Sequence, residues 1–198
     1  MERKGFFVCI EGLDKSGKTS QSILLVEALC KKGFDAVYTT EPSNGEIGKF
    51  IRNYILHRED RASPIVEALL FAADRADHVE REIKPMLAKG KVVVSDRYVY
   101  SSLTYQGAAG LNLDWIEEIN KHALKPDMAI YLNVSVKNLL QRYRKEKSVM
   151  ERLETQRRVE EIYLKLVHDG RLISVNGERP MKEATRDILA MIIKKLKS

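Results

Sequence analysis

The sequence has little cysteine and no long hydrophobic run. Its 198 residues include two cysteines, Cys9 and Cys30, which are too few ligands for a disulfide scaffold or a zinc site. We expect both to be reduced side chains in the core of a cytosolic protein. The longest apolar stretches, residues 68–73 and 188–193, are six residues long, whereas a membrane-spanning helix needs about 20. The apolar run at residues 6–10 is too short for a signal peptide, so the sequence predicts a cytoplasmic protein with no membrane partner.

Aromatic residues are also few, at 7% of the chain, and the net charge of +6 is unevenly distributed. Residues 137–158 contain eight Lys or Arg and three acidic residues, so this segment carries five of the six excess positive charges. A concentrated basic segment suits phosphate-rich ligands, either nucleotides or nucleic acid. A solvated helix with pairs of opposite charge is the simpler interpretation. The low aromatic content weakens the nucleic-acid interpretation.

Short apolar runs alternate with longer amphipathic segments along the whole chain. The pattern predicts strands at residues 6–10, 35–40, 91–95, 128–134 and 171–175. It predicts helices at residues 18–32, 46–57, 63–89, 98–109, 113–124, 136–145, 149–169 and 180–196. Strands joined by helical connections form parallel sheets covered on both faces. We therefore expect a three-layer α/β fold with a five-stranded parallel sheet, in a single domain over residues 1–198.

The first motif is GLDKSGKT at residues 12–19, which matches G-x-x-x-x-G-K-[ST] in full between a predicted strand and a predicted helix. Gly12 and Gly17 permit backbone conformations that a side chain would forbid, and the N–H groups at the helix start can surround phosphate oxygens. Lys18 supplies a cation to the phosphates, and the Thr19 hydroxyl can bind Mg²⁺. A flexible glycine-rich turn is the alternative. The predicted ATP-binding residues of this loop are Gly12, Asp14, Lys15, Ser16, Gly17, Lys18, Thr19 and Ser20.

A phosphate-binding loop alone does not determine the reaction, because kinases, GTPases and transport ATPases all use it. The guanine-reading motif N-K-x-D is missing, and the nearest string is NKHA at residues 120–123. The LSGGQ signature of transporter ATPases is missing as well. These two absences favour a small-molecule kinase.

The second motif, VVVSDRY at residues 92–98, places Asp96 and Arg97 at the carboxyl end of an apolar strand. Ligands bind beyond such strand ends in doubly wound sheets. Asp96 can hold Mg²⁺ through water together with Thr19, and Arg97 offers a bidentate donor to a phosphate. A structural Asp–Arg pair at a helix start is the alternative.

Five ordered blocks make nearly the whole chain resemble the thymidylate kinases of the nucleoside monophosphate kinase superfamily. The blocks are IEGLDKSGKTSQ at 10–21, TEP at 40–42, LFAADR at 70–75, SDRY at 95–98 with SSLTYQG at 101–107, and ERLE at 151–154 with Arg158, Val159 and Tyr163 downstream. The resemblance implies a P-loop kinase fold with a short lid and usually a homodimer. Several ordered blocks are more specific than any one of them.

The resemblance also implies where the acceptor nucleotide binds. Asp14 would lie near the 3′-hydroxyl of the acceptor sugar, Phe71 would stack on thymine and Arg75 would donate to a thymine carbonyl. Arg52 and Arg97 would hold the acceptor phosphate. The spacing of Phe71 and Arg75 agrees with this, because residues i and i+4 share one helix face.

Three residues of the predicted helix at 98–109 complete the implied acceptor site. Ser102 would read the base edge, with Gln106 in the same set, and Tyr105 would close the 2′ side of the sugar and so favour deoxynucleotides. An ordinary core position is the alternative for both Phe71 and Tyr105.

The resemblance places a lid at about residues 142–154, with Arg142 near the adenine and Arg152 among the catalytic residues. The adenine would also approach residues 176–180. The implied catalytic set is Lys18, Lys15, Asp14, Arg97 and Arg152. This chain departs from the family pattern in having a cation in the loop, Lys15, as well as several in the lid. It also has SNG at residues 43–45 where some relatives carry a phosphate-contacting arginine.

The predicted reaction is ATP + dTMP → ADP + dTDP, dependent on Mg²⁺ and serving dTTP biosynthesis, with nucleotides rather than nucleic acid as partners. One alternative is a kinase with another acceptor, such as dUMP. The other is a nucleic-acid-binding ATPase that uses the basic segment, which predicts DNA-stimulated hydrolysis with a steep salt dependence.

Overall fold

The computed structural model describes residues 5–56, 62–140 and 149–197. Within these ranges the chain forms one five-stranded, all-parallel sheet in the order β2-β3-β1-β4-β5. The strands are β1 Phe6–Glu11, β2 Ala36–Thr40, β3 Val92–Asp96, β4 Met128–Asn133 and β5 Ile173–Asn176. All five predicted strands are confirmed, with ends shifted by one or two residues. The expected α/β fold with a parallel sheet flanked by helices is confirmed as well.

The central strands β1 and β3 are hydrophobic up to their last one or two residues, as expected for strands that helices cover on both faces. Every residue of β1 and β3 is buried, whereas the edge strand β5 is mostly exposed. The first three helices are α1 Lys18–Lys31, α2 Glu46–Ile51 and α3 Pro64–His78. The next three are α4 Lys84–Ala88, α5 Val99–Ala108 and α6 Leu113–Ile119, and the last three are α7 Val136–Leu140, α8 Val149–His168 and α9 Met181–Leu196.

Two hydrophobic cores lie on opposite faces of the sheet. On one face, aliphatic side chains of α1 and α9 such as Leu25 and Ile188 pack on β1 and β4. On the other face, side chains of α5, α6 and α8 form a larger core that includes the buried tyrosines Tyr98, Tyr131 and Tyr163. Of these tyrosines, Tyr163 donates its hydroxyl hydrogen to the Glu11 Oε2 at 2.9 Å, which links this core to the end of β1.

The helix ends follow local signals that the sequence contains. α1 ends just before Gly33, which has a φ of 80° and so takes the left-handed conformation that terminates helices. The Ser63 side chain caps α3 by accepting from the Val66 N–H at 3.5 Å, with Pro64 at the first helical position. The Asn112 side chain caps α6 by accepting from the Trp115 N–H at 3.1 Å.

Three predicted helical segments differ from the structure. The segment expected over residues 46–57 changes from α2 to π-type hydrogen bonding at Arg52–Leu56. The helix expected over residues 63–89 takes π-type hydrogen bonding at Val79–Ile83 between α3 and α4. Pro85 follows this stretch and has no N–H to donate to the Arg81 carbonyl, so the regular pattern cannot continue through it. The helix expected over residues 113–124 ends at Ile119, because the side chain of Asn120 turns back to donate to the Ile116 carbonyl at 2.8 Å.

The two cysteines have different environments. Cys9 is buried on β1, as expected, but Cys30 is exposed, so its prediction as a core residue was wrong. Cys30 lies near the end of α1 and its Sγ donates to the Ala36 carbonyl at 3.6 Å.

No helix in the described ranges has both the length and the apolar character needed to cross a bilayer.

The parallel sheet brings the carboxyl ends of β1, β2 and β3 to one edge. Asp96, the last residue of β3, pairs in register with Ile10 of β1 and with Thr40 of β2. The loops that follow these three strands therefore begin side by side, and the sequence motifs at residues 12–19, 40–42 and 95–98 converge there.

Candidate active site

The loop between β1 and α1 has the backbone that its glycines predict. Gly12 has a φ of 155° and Gly17 a φ of 96°. A Cβ atom on Gly12 would lie 2.9 Å from the Ser16 Oγ and 3.0 Å from the Leu132 carbonyl oxygen, closer than real Cβ contacts. Only glycine therefore fits at position 12 without moving β4 or the loop itself.

Lys18 is the first residue of α1 and is only 5% exposed. Its Nζ donates to the carbonyl of Leu13 at 2.6 Å, which folds the side chain back over the loop. Burial, reinforced by the positive charge of Arg97, lowers the pKa of Lys18 to about 7, although the carboxylates of Asp14 and Asp96 act in the opposite direction. Among the described residues no carboxylate is hydrogen-bonded to the Lys18 Nζ, and the negative charge of a bound phosphate would favour its protonated form.

Thr19 and Asp96 are the two oxygen-bearing residues expected to hold Mg²⁺. The Thr19 Oγ1 lies 2.5 Å from the Asp96 Oδ2, and the Asp96 Oδ1 is buried with no hydrogen-bond partner in the described part of the protein. Mg²⁺ prefers oxygen ligands and is commonly held by one or two protein groups together with waters and substrate phosphates. The pair therefore fits Mg²⁺, and an orphaned carboxylate oxygen is the kind of atom that such an ion would satisfy.

A cavity of about 310 Å³ lies at this edge of the sheet. Its lining residues are Lys15, Gly17, Lys18, Thr19, Ser20, Asp96 and Arg97. Lys15 and Arg97 are also the two non-glycine residues with positive φ in the described ranges, at 63° and 72°. Such backbone conformations cost free energy and cluster at functional sites.

Arg97 is the centre of a second polar array, on the wall of the same cavity. Its Nη2 forms an ion pair with the Asp14 Oδ1 at 2.5 Å, and its Nη1 donates to the Ser101 Oγ at 3.1 Å. The Tyr105 hydroxyl donates to the same Asp14 oxygen at 2.9 Å, while the guanidinium carbon lies 5.2 Å from the Tyr105 ring centre. Burial raises the pKa of Asp14, but the charges of Arg97 and Lys18 and the Tyr105 hydrogen bond outweigh it and hold the pKa below its ordinary value.

Four residues to which the sequence assigned no role support this array. Gln156 of α8 accepts from the Asp14 N–H at 3.2 Å, and its Nε2 lies 3.4 Å from the Asp14 Oδ2. Glu11, at the end of β1, accepts hydrogen bonds from the Ser101 hydroxyl at 2.6 Å and from the Tyr163 hydroxyl at 2.9 Å. Burial raises the pKa of Glu11 even though these donors favour its ionised form. An acidic residue ending an otherwise apolar strand was the sequence signal for Glu11.

Arg75 lies on α3 and is only 2% exposed. The Glu41 Oε2 accepts from its Nε at 2.9 Å and pairs with its Nη2 at 2.7 Å. The Asn120 Oδ1 accepts from its Nη1 at 2.5 Å, and the Tyr98 ring centre lies 5.4 Å from its guanidinium carbon. The guanidinium is therefore held on three sides. Glu41 comes from the TEP block, whereas the partnership with Asn120 had no sequence signal.

The remaining predicted acceptor residues lie on elements that surround Arg75. Phe71, one turn before Arg75, is partly exposed and belongs to neither hydrophobic core, which goes against its alternative interpretation as a packing residue. Ser102 and Gln106 are buried on α5, which packs against α3. The Gln106 Oε1 is buried without a hydrogen-bond partner among the described residues.

Arg52 lies where α2 continues into a π-type turn. Its two Nη atoms donate to the carbonyls of Pro42 and Ser43, each at 2.7 Å. The arginine therefore clamps the loop after β2, and the Glu41 N–H of that loop donates to the Asp96 carbonyl at 3.0 Å. This places Arg52 next to the edge of the sheet, but its expected contact with a phosphate stays a prediction.

The expected lid falls largely outside the described residues. Arg142 lies outside them, and so do its neighbours up to residue 148. Arg152 belongs to α8, whose described side chains from Leu153 onward pack towards the site through Gln156 and Tyr163. The predicted roles of Arg142 and Arg152 stay predictions.

Sequence comparisons agree with this geometry. The thymidylate kinase family model matches residues 10–188. A protein of Pyrococcus abyssi named "Probable thymidylate kinase" is 44% identical over 197 residues, covering 96% of each chain. Proteins of the same name are 44% identical in Thermococcus gammatolerans, over 95% of this chain and 96% of the relative, and 38% identical in Staphylothermus marinus, over 98% of each chain. With its phosphate-binding loop, its Asp96–Arg97 edge and this similarity over nearly its whole length, the chain belongs to the thymidylate kinase family of nucleoside monophosphate kinases.

Proposed function

We propose that this protein transfers the γ-phosphoryl group of ATP to dTMP, giving dTDP and ADP in a Mg²⁺-dependent reaction that serves dTTP synthesis. The observation that carries the proposal is that two sites share one cavity wall. Lys18 and Thr19 of the phosphate-binding loop line the same cavity as Arg97, which is tied to Asp14 and Tyr105. A phosphate donor held by the loop and a nucleotide acceptor held by the Arg97 array would therefore meet at this cavity.

In the proposed reaction an oxygen of the acceptor phosphate attacks the γ-phosphorus, and the bond from that phosphorus to the β–γ bridging oxygen breaks. The acceptor oxygen is already anionic, so no general base is needed. The obstacle is repulsion between two polyanions, and catalysis comes from positioning and charge neutralisation. Lys18 and Lys15 neutralise the transferred group, and Arg97 and Arg52 hold the acceptor phosphate in line. Mg²⁺ held by Thr19 and Asp96 would supply Lewis-acid stabilisation of the donor phosphates.

The acceptor sugar and base are proposed to lie between α3 and α5. Asp14 would accept from the 3′-hydroxyl, and the Tyr105 ring would exclude a 2′-hydroxyl. Arg75 can serve the base although it is fixed by Glu41 and Asn120, because each Nη atom carries a second hydrogen. The proposed base contacts are Phe71, Arg75, Ser102 and Gln106.

The proposal treats residues 1–198 as one catalytic domain in which about residues 142–154 form the lid. The proposed donor site comprises the loop residues 12–20 and Arg142. Closure of such a lid excludes water and adds cations at the transferred phosphate. Arg152 is proposed as one of these cations.

An acceptor screen tests the function directly. With ATP and Mg²⁺ in a coupled ADP assay, dTMP should give the highest kcat/KM among nucleoside monophosphates, ahead of dUMP and of the ribonucleotides. Equal kcat/KM for dTMP and another monophosphate would contradict the proposed specificity. Hydrolysis of ATP that is stimulated by DNA and strongly reduced by salt would instead support the nucleic-acid alternative.

We also propose that the enzyme is a homodimer. Among the described residues, Phe50 on α2 and Ile65, Val66 and Leu69 on α3 are large apolar side chains that are 41–52% exposed, and α2 and α3 pack on each other. Clustered exposed apolar side chains indicate an interface, and an isologous contact between two copies is the commonest solution. Sedimentation should give twice the 22.7 kDa chain mass, and Leu69→Glu should yield a monomer; a wild-type monomer at micromolar concentration would contradict the dimer.

A further inference from the structure

A buried histidine behind Arg75 has no part in the proposed reaction. His78 is the last residue of α3 and is only 2% exposed. Its Nδ1 lies 3.3 Å from the Glu41 Oε1, and its Nε2 lies 2.7 Å from the Thr39 Oγ1. A second carboxylate, Glu82, has an oxygen 3.7 Å from the same Nε2. The imidazole is thus enclosed by oxygen atoms on both of its nitrogen sides.

The hydrogen bonds around His78 determine where its protons are. The Thr39 hydroxyl has one hydrogen, which it donates to the Glu82 Oε1 at 2.7 Å. Thr39 can then only accept from the His78 Nε2, so that nitrogen carries a hydrogen. Glu41 is paired with Arg75 and is an acceptor only, so the His78 Nδ1 carries a hydrogen as well. A histidine with a hydrogen on both nitrogens is an imidazolium cation.

Glu41 connects His78 to Arg75. One oxygen of this carboxylate faces His78, and the other accepts both Arg75 contacts. Removing the proton from the His78 Nδ1 would leave the first oxygen of Glu41 buried without its donor, which is costly. The carboxylate would then be free to rotate, and Arg75 would lose the fixed partner that orients its guanidinium.

The charges around His78 favour the cation. Burial alone lowers the pKa of His78, but the hydrogen bond and charge of Glu41, with the charges of Glu82 and Asp74, outweigh it and raise the pKa above its ordinary value. Arg75 is the opposing cation on the same helix. From β1 and the start of α5, Cys9 and Tyr98 face the same cluster, and burial raises the pKa of each, so both stay neutral.

We propose that His78 is a positioning residue that acts as an imidazolium, fixing Arg75 through Glu41 so that the acceptor nucleotide binds well only while His78 holds its proton. This inference rests on the proposed function, in which Arg75 contacts the acceptor base. It makes the affinity for the acceptor depend on pH through a residue that does not touch the substrate.

The first experiment measures the KM for dTMP and for ATP from about pH 7 to about pH 9.5, above the range in which the acceptor phosphate itself titrates. In the wild type the KM for dTMP should rise about tenfold at alkaline pH, which corresponds to the free energy of one hydrogen bond to a charged group. The KM for ATP should not show the same pH dependence. His78→Gln should show a raised KM for dTMP with no such pH dependence. His168→Gln is the matched control, because the His168 side chain is 91% exposed and its replacement should leave the wild-type curve unchanged.

A second variant keeps the test valid if His78→Gln fails to fold. Glu82→Gln keeps an acceptor for the Thr39 hydroxyl but removes one negative charge beside the His78 Nε2. The pKa of His78 should fall, so the alkaline rise in the KM for dTMP should move to lower pH. A residue with a merely structural role would not produce this shift. An unmoved midpoint in a folded Glu82→Gln enzyme would count against the proposal.

Nuclear magnetic resonance of the imidazole nitrogens tests the protonation state without any activity measurement. The His78 signals, identified by their loss in His78→Gln, should show two protonated nitrogens at neutral pH, and the ring should lose a proton only at alkaline pH, because its pKa is raised. A neutral His78 ring at pH 7 would overturn the inference. If dTMP is phosphorylated but its KM does not change with the protonation of His78, this inference is wrong and the proposed function stands. If no nucleoside monophosphate is phosphorylated in the acceptor screen, both the proposed function and this inference are wrong.

Discussion

The candidate active site has a phosphate end, formed by residues 12–19 with Asp96 and Arg97, and a base end around Arg75. The buried cations Lys18 and Arg75 at these two ends have different hydrogen-bond partners. Lys18 at the phosphate end is 5% exposed and hydrogen-bonds to a neutral carbonyl, and burial lowers its pKa to about 7. Arg75 at the base end is 2% exposed and is held by the carboxylate of Glu41 and the side-chain oxygen of Asn120. Among the described residues, the Lys18 Nζ therefore has a neutral hydrogen-bond partner and can receive an anion, whereas Arg75 is already paired with a carboxylate and is held in one orientation.

This contrast extends to the backbone. Lys15 and Arg97 at the phosphate end have positive φ, each a conformation that costs on the order of 1–3 kcal/mol. Asp74 and Arg75 at the base end belong to a regular helix, and their side chains hold the neighbouring loop, with Asp74 accepting from the Ser43 N–H and hydroxyl at 2.7 and 2.6 Å. Changes at the phosphate end should therefore affect the chemical step, and changes at the base end should affect acceptor binding.

Lys18→Ala gives the largest expected effect. It should lower kcat by at least about a hundredfold, because it removes charge stabilisation from the transferred phosphoryl group. Steady-state kinetics beside Lys31→Ala, an exposed lysine at the other end of α1, provides the matched control. Turnover within about threefold of the wild type would contradict the assignment of the loop.

Lys15→Met should lower kcat by about tenfold to a hundredfold with little change in nucleotide binding, the pattern of an interaction made in the transition state. Lys15→Arg should retain much of the activity, since the positive charge is kept. Single-turnover measurements should show smaller losses for Arg152→Met and Arg144→Met, whose effects should fall mainly on the KM for ATP. A larger loss of the chemical step in either lid variant would transfer the catalytic cation from the loop to the lid.

Phe71→Ala tests the base end. Base–aromatic stacking is worth about 1–3 kcal/mol, and a partly exposed ring falls at the lower end, so the KM for dTMP should rise about tenfold while the KM for ATP changes little. Phe71→Leu keeps the apolar volume but removes the aromatic face, and it should behave like Phe71→Ala. Recovery of the wild-type KM in Phe71→Leu would show that the side chain matters for packing instead.

The smallest expected effect is a fractional proton uptake. The pKa of Lys18 is about 7, so near pH 7.5 the side chain is mostly neutral. The negative charge of a bound triphosphate raises that pKa, so ATP binding should take up protons above pH 7 and take up fewer as the pH falls below it. Calorimetry in buffers of different ionisation enthalpy measures this uptake, and Lys18→Met should reduce it; the same uptake in that variant would mean that another group titrates.

Much of the fold followed from the sequence because its signals are local. Continuous apolar runs such as β1 and β3 indicate strands buried on both faces, and Gly33 and Ser63 indicate a helix end and a helix start. The misjudged positions were those where the local pattern did not decide the outcome. Asn120 ends α6 because its side chain bonds to both Ile116 and Arg75, and Cys30 is exposed although it lies in an apolar segment.

The phosphate end could be predicted for the same reason. Its residues lie in two short stretches, 12–19 and 96–97, where glycines, a lysine and a hydroxyl have fixed spacing. The base end is assembled from β2, α3, α5 and α6. Phe71 and Arg75 were predicted from a family resemblance, and nothing in their neighbourhood indicated that Glu41 and Asn120 hold Arg75 or that His78 lies against Glu41.

The sequence by itself determined the order of the strands and helices along the chain, the phosphate-binding loop and the family to which the chain belongs, since each depends on residues that are close together or on ordered motifs. Only the tertiary structure decided which charged and polar side chains pair with one another. The pairing of Asp14 with Arg97, of Glu11 with Tyr163 and of Glu41 with His78 joins residues 37 to 152 positions apart. Such contacts arise from the parallel sheet, which brings the carboxyl ends of distant strands to one edge and buries there the charged side chains that follow them.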